Sequence, residues 1–438
     1  MLDVLKNRTY RHLFLAQVIA LVGTGLATVA LGLLAYDIAG AQAGAVLGTA
    51  LAIKMIAYVG VAPIAGAFAE VLPRRPLLVA LDLVRAAVAT CLPFVTEVWQ
   101  IYLLIFVLQS ASAAFTPTFQ ATIPDVLSEE KDYTKALSLS RLAYDLESVI
   151  SPMLAAALLT VMSFHNLFAG TVVGFLASAA LVVCVLLPSP KAAERRGIYD
   201  RTTRGLRIYL ATPRLRGLLA LSLAVSAAGA MVIVNTVVIV QAQFGLTQRA
   251  TALALAAFGA GSMVAALLLP RILEDITDRK AMLSGAIVLI VGLCVGVVVP
   301  SYILLLPLWF TLGLGYSLTQ TPSGRLLRRS SQPEDRPSLF AAQFALSHAC
   351  WLITYPAAGW LGARIGLAAT FGVLALLAAG AVFVATRVWP AKDPDELEHS
   401  HEDLELDHPH LHGGGRRHSH AFVIDSHHTD WPVPENRR

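Results

Sequence analysis

Two short loops decide how this chain is built: "EVLPRRPLL", Glu70 to Leu78, and "EDITDRKAML", Glu274 to Leu283. Each opens on a carboxylate, carries two adjacent basic residues and separates two long apolar runs. The second lies 204 residues after the first. Thr116-Pro117 recurs as Thr321-Pro322 after 205 residues, and Pro152 recurs as Pro356 after 204. Three landmarks at one offset mark a duplication. The sequence therefore divides into a six-helix half at 1–187, a basic linker at 188–215, a second six-helix half at 216–388 and a tail at 389–438. Parallel repeats of this kind place a substrate site between the halves near mid-membrane, and rocking of one half against the other gives alternating access.

The flanking runs carry the same reading. The chain is 56% hydrophobic and only 14% charged, where a soluble domain carries about 25% charged residues. A spanning helix needs about 20 mostly apolar residues. Twelve segments qualify: 12–37, 44–70, 77–95, 99–120, 137–161, 166–187, 216–242, 249–269, 281–299, 302–321, 339–362 and 366–388. The expected class is an all-α membrane protein with twelve transmembrane helices. Basic residues fall on one side. Lys6, Arg8, Arg11, Arg74, Arg75, Lys131, Lys135, the linker arginines, Arg279, Lys280, Arg325, Arg328, Arg329 and Arg387 share it, while the opposite loops offer only Arg249 and Arg364. The positive-inside rule then puts both termini in the cytoplasm.

No cleavable leader follows the basic start. Cys91, Cys184, Cys294 and Cys350 lie in apolar runs without CxxC spacing, which gives neither a disulfide framework nor a thiolate metal site. GxSxG, P-loop and HExxH patterns are missing, so an enzyme or an ATP-driven pump is not indicated.

These features resemble the major facilitator superfamily. Its loop signature, roughly G-x-x-x-D-R-x-G-R-R, maps onto Gly66, Glu70, Arg74 and Arg75, with Glu70 in place of Asp, Val71 in place of Arg and Pro73 in place of Gly. The resemblance covers about residues 5–390 and implies a gating role for Gly66, Glu70, Arg74 and Arg75. "FTPTFQATIPDVLSEEKDYTKALSLS", from Phe115, is similar to the corresponding loop of drug and siderophore exporters.

Ionisable residues at mid-bilayer cost from about 2.5 kcal/mol upward and need a reason. Lys54 stands ten residues from the outer end of its span, about 15 Å deep. Asp145 and Glu147 lie in "RLAYDLESVISP", and His348 lies in "FALSHACWLITYP". Asp145 and His348 are near-equivalent in the repeat, seven and eight residues before their prolines. A carboxylate facing an imidazole across a cavity suits a borderline divalent cation or a proton relay. Asp145 and Glu147 point about 200° apart on one helix, so at most one meets the substrate. Alternatives stay open: Arg141 as the counter-ion of Asp145, Lys54 as that of either carboxylate, His348 as a packing residue. Asn235 and Gln343 are candidates for the cavity or for helix-helix hydrogen bonds. Asp82 and Arg85, three apart, read most simply as an intrahelical ion pair.

The tail changes character. Residues 391–438 hold 11 acidic and 5 basic side chains and nine of the chain's twelve histidines: His399, His401, His408, His410, His412, His418, His420, His427 and His428. Low apolar content predicts disorder for the isolated segment, and imidazoles at varied spacing predict binding of Ni, Zn, Cu or Co. A histidine-rich cytoplasmic C-terminus, with "SRLAYDLESVISP" and "FALSHACWLITYPAAGWLGA", resembles the nickel-resistance exporters of bacteria. That resemblance implies export of Ni²⁺, with Co²⁺ second, in exchange for protons, at the inner membrane. The alternative is export of drug-like or siderophore-like molecules with an accessory tail; a membrane-anchored metal sensor is a third. Expected partners are the bilayer, protons, and a metal ion or small molecule, with no nucleic acid, no permanent cofactor and a monomeric chain.

Overall fold

In the computed structural model, residues 2–39, 43–69, 71–188, 197–394, 396–400, 417–425, 428 and 431–432 are described. Glu70, His401, His408, His410, His412 and His427 lie outside them. Fourteen helices follow one another among the described residues. They are α1 (Arg8–Ala39), α2 (Ala43–Ala69), α3 (Arg74–Cys91), α4 (Val98–Val126), α5 (Glu130–Leu159), α6 (Phe164–Val183), α7 (Ile198–Ala211), α8 (Pro213–Val237), α9 (Gln248–Asp275), α10 (Asp278–Gly296), α11 (Tyr302–Gln320), α12 (Ser323–Arg329), α13 (Arg336–Ile365) and α14 (Leu367–Val388).

Their boundaries follow local chemistry. Glu97 and Gln100 form a reciprocal capping box at the start of α4, which satisfies backbone N–H groups that have no intrahelical partner. Thr277 accepts from the Lys280 N–H at the start of α10. Gly366 separates α13 from α14 at φ 85, a conformation that costs glycine little. Prolines 63, 117, 124, 270, 307 and 356 sit inside helices, as membrane helices tolerate. Among the described residues, ten stretches are long and apolar enough to cross a membrane. The two other helices of spanning length, α5 and α13, carry Arg141, Asp145 and Glu147, and Gln343 and His348, near their middles.

The helices pack as two groups. α1 lies on α6, α3 on α6 and α4, and α2 on α4; α8 lies on α14, α9 on α11, and α10 on α11 and α14. The groups meet where α2 and α4 pack on α13 and where α5 packs on α9. One group buries Leu34, Phe168 and Phe175 in one core and Leu13, Phe119 and Tyr133 in another. The other centres on Leu218, Met231, Trp309 and Trp389.

Two features add to the sequence reading. The linker at 188–215 contains a helix, α7, which lies along α13. Arg204 grips Asp335 with two bonds of 2.5 and 2.7 Å, and Tyr209 donates to the Gln343 side chain. The tail holds a short ribbon among its described residues. Glu396–Ser400 (β1) and Arg417–Ala421 (β2) pair antiparallel, with Leu397 opposite His420 and His399 opposite His418. Phe422 and Ile424 join the core of the second helix group, and the Arg214 guanidinium lies 4.9 Å from the Trp431 ring centre. Composition averaged over the tail hides this short apolar cluster. It is too small to fold alone, but burial of each large apolar side chain on an existing core gains roughly 1.5–3 kcal/mol.

Candidate functional site, a cavity between the two helix groups

A cavity of about 380 Å³ lies where the groups meet. Gln17 of α1, Tyr58 of α2, Phe119 and Gln120 of α4, Arg141 and Tyr144 of α5, and Gln343, Phe344 and His348 of α13 all line it. The site thus draws on both halves of the repeat.

Asp145 is buried, and its carboxylate belongs to Arg141 one helical turn away, with contacts of 2.5 and 3.2 Å. Arg141 also donates to Ser262 of α9 at 3.0 Å and covers the Tyr316 ring of α11, 4.7 Å from its centre. It therefore ties α5 to the second group. The pairing of Asp145 with His348 across a cavity is corrected: the nearer guanidinium takes the carboxylate, because an ionised group away from water needs a charged partner.

His348 stands among rings. Its imidazole meets Tyr58 edge-on at 4.7 Å and tilts over Phe344 at 4.2 Å. Nδ1 lies 2.7 Å from the Phe344 carbonyl oxygen. A carbonyl only accepts, so Nδ1 carries the proton, and Nε2 of the neutral ring keeps its lone pair.

Lys54 and Tyr58 are one turn apart on α2, and the ammonium lies 5.5 Å from the Tyr58 ring centre. Among the described residues Lys54 makes no ion pair, yet it lies within Coulombic reach of Glu147 and of His348. Glu147 faces α1. A Cβ added to Gly25 would come 2.6 Å from its Oε1, so the glycine leaves the room this carboxylate uses. Asp145 and Glu147 thus serve different neighbours.

Asn235 is not a cavity residue. It is buried and donates to the Ala358 carbonyl at 3.2 Å, joining α8 to α13. Gln343 does line the cavity and accepts from Tyr209. Asp82 and Arg85 form a buried ion pair, backed by Ser178 at 2.8 Å and by the rings of Phe115 and Phe175.

Ion pairs join the helices at the end where α3, α5 and α13 begin. Asp125 pairs with Arg74, at the start of α3, and with Arg336, at the start of α13. Arg325 pairs with Glu130 and Lys131 with Glu274, both across the groups. Gly66 lets α2 close on α13, since an added Cβ would meet the Ala341 Cβ at 2.6 Å. Arg75 instead donates to the Val183 carbonyl at the end of α6. Asp125 went unnoticed in the sequence although it stands in the quoted run after Phe115; an acidic residue directly after "TIP" at a helix end was its only signal.

In the tail, His418 and His420 stack at 5.1 Å, His420 meets His428 at 5.2 Å, and His428 lies 2.9 Å from Asp425. Among the described residues no three metal-ligating side chains converge closely enough to hold an ion.

Comparison with known proteins agrees with the architecture. Macrolide efflux protein A of Streptococcus pyogenes is 26% identical over 152 residues, 32% of this chain and 37% of that protein. An uncharacterised MFS-type transporter of Bacillus subtilis is 24% identical over 144 residues, 33% of this chain and 34% of that one. The chain thus spans little more than a third of the length of these relatives. The human organic anion transporter MFSD10 superposes with a TM-score of 0.73 at 13% identity, over 86% of this chain and 99% of that one. A bacterial homologue of the iron transporter ferroportin, in its outward-facing state, gives 0.71 at 14% identity, over 87% and 98%. The Major Facilitator Superfamily model matches residues 13–233 and 218–415. With its multi-pass helices and its two-group packing, the chain belongs to the major facilitator superfamily of membrane transporters.

Proposed function

We propose that the chain is a secondary active exporter that moves a divalent metal cation, Ni²⁺ first and Co²⁺ second, out of the cytoplasm in exchange for protons. In this reading twelve helices cross the inner membrane of a bacterium, α5 and α13 included. Both termini and the basic loops lie inside, and the two halves, 1–187 and 216–388, rock about the cavity. The end held by the Asp125, Glu130 and Glu274 ion pairs is then the cytoplasmic gate.

What supports the metal reading is the histidine-rich tail, in which His418 and His420 stack on β2 and His428 packs against His420. In the membrane, His348 offers Nε2 as a ligand. Glu147 is the proton-carrying carboxylate, since Asp145 is paired with Arg141. Lys54, within reach of both, is repelled by an arriving dication and stabilises the ionised Glu147 when the cation leaves. Gln343 and the Tyr58 ring shape the cavity around His348.

A second reading, export of a small organic molecule, is favoured by the aromatic lining at Tyr58, Phe119, Tyr144 and Phe344 and by the similarity to macrolide efflux protein A. Cells preloaded with radioactive nickel, radioactive zinc or ethidium separate the two. The metal reading expects faster nickel loss from cells expressing the chain, abolished in H348A. Faster ethidium loss with unchanged nickel would replace it by the second.

A further inference from the structure

A second cavity, about 540 Å³, opens at the basic end between α5 and α9, outside the central site. Lys131 and Lys135 rim it from the first turns of α5, and Arg271 rims it from the last turns of α9. Leu267 and Leu268 form its wall, both well exposed, one to two turns toward mid-membrane. At 1.5 Å per residue, Arg271 stands about 4.5 to 6 Å along α9 from those two leucines. Cations above exposed leucines match a phosphate group above an acyl chain. Arg271 makes no ion pair among the described residues. Lys131 is held only by the exposed pair with Glu274 at 2.8 Å, a kind of contact that holds weakly and exchanges readily.

We propose that this recess binds one anionic phospholipid of the inner leaflet, its phosphate bridging Lys131 and Arg271. The two residues belong to opposite helix groups. The lipid therefore fastens the groups together at the basic end and stabilises the state closed on that side. It loses one of its two partners when α5 and α9 separate there. Glu130 and Glu274, on the same rim, disfavour a second anion and set the occupancy at one. The site does not depend on what the central cavity carries.

Thermal unfolding of the purified full chain in detergent tests this, titrated with phosphatidylglycerol, phosphatidylcholine or glycerol phosphate. Phosphatidylglycerol is expected to raise the unfolding temperature, and the other two are not. R271Q and K131Q, both exposed positions, are each expected to weaken the phosphatidylglycerol response about fivefold, the loss of one basic contact with an anionic lipid. K280Q, at the same end but off the cavity, should leave it unchanged. Equal titrations in all four proteins, or an equal response to glycerol phosphate or phosphatidylcholine, would overturn the proposal.

Discussion

Arg141 holds Asp145 through two nitrogens, at 2.5 and 3.2 Å, and reaches Ser262 in the other helix group with one of them. This relationship pairs Asp145 with a cation of its own helix, while His348 lines the cavity and Glu147 faces α1. The same guanidinium joins α5 to α9 through Ser262.

Asp145→Asn is expected to destabilise the protein by about 3–5 kcal/mol, the usual cost of stranding one member of a buried ion pair. Thermal unfolding in detergent measures it. The double variant D145N/R141Q should recover part of the loss. Wild-type stability in D145N alone would show that the pair is not what fixes Arg141.

Asp125→Asn frees Arg74 and Arg336 together and should open the basic end. Spin labels on cysteines at positions 131 and 274 are expected to show a longer distance population in D125N than in the same labelled protein with Asp125 intact. Identical distance distributions would remove Asp125 from the gate.

Gly66→Val forces α2 off α13, because even a Cβ would sit 2.6 Å from that of Ala341. Overpacking of this kind costs about 1–3 kcal/mol, all of it in the closed state. The same spin-label pair should therefore shift toward the open distance in G66V, by less than in D125N. Closure as complete as in the parent would place the helix contact elsewhere.

The repeat was legible because duplicated turn chemistry survives where apolar side chains interchange freely. Glu70, Thr116-Pro117 and Pro152 have counterparts that any reading of the chain can align. The pairing of charges was legible in part: Asp82 with Arg85 followed from their spacing, whereas Arg141 was one of several alternatives for Asp145. Asp145 and His348 occupy matching places in the repeat, but helix rotation decides the partner, and Arg141, one turn away on the same helix, wins. Lys54 was legible by depth alone; its reach to Glu147 depends on the room left by Gly25. Asn235 reads like a cavity amide and is a packing residue, since an amide in an apolar run serves either purpose. The tail's composition concealed Phe422 and Ile424, whose docking depends on a core built by α8 and α14.

The triple variant H418A/H420A/H428A keeps Phe422, Ile424 and Trp431 in place, whereas a chain ending at Pro390 loses them. The triple variant is expected to lower nickel tolerance with a smaller loss of detergent stability than truncation, since of the three only His428 is buried, against Phe422. The truncated chain should lose both. Wild-type tolerance in the triple variant would leave these three histidines without a role in metal handling.

The most direct test is proton-driven uptake of radioactive nickel into everted membrane vesicles, comparing the wild type with E147Q. The account predicts accumulation by wild-type vesicles when the lumen is acidified, its collapse on adding a protonophore, and no accumulation by E147Q. Accumulation that persists without a proton gradient, or a wild type that takes up ethidium but no nickel, would contradict it.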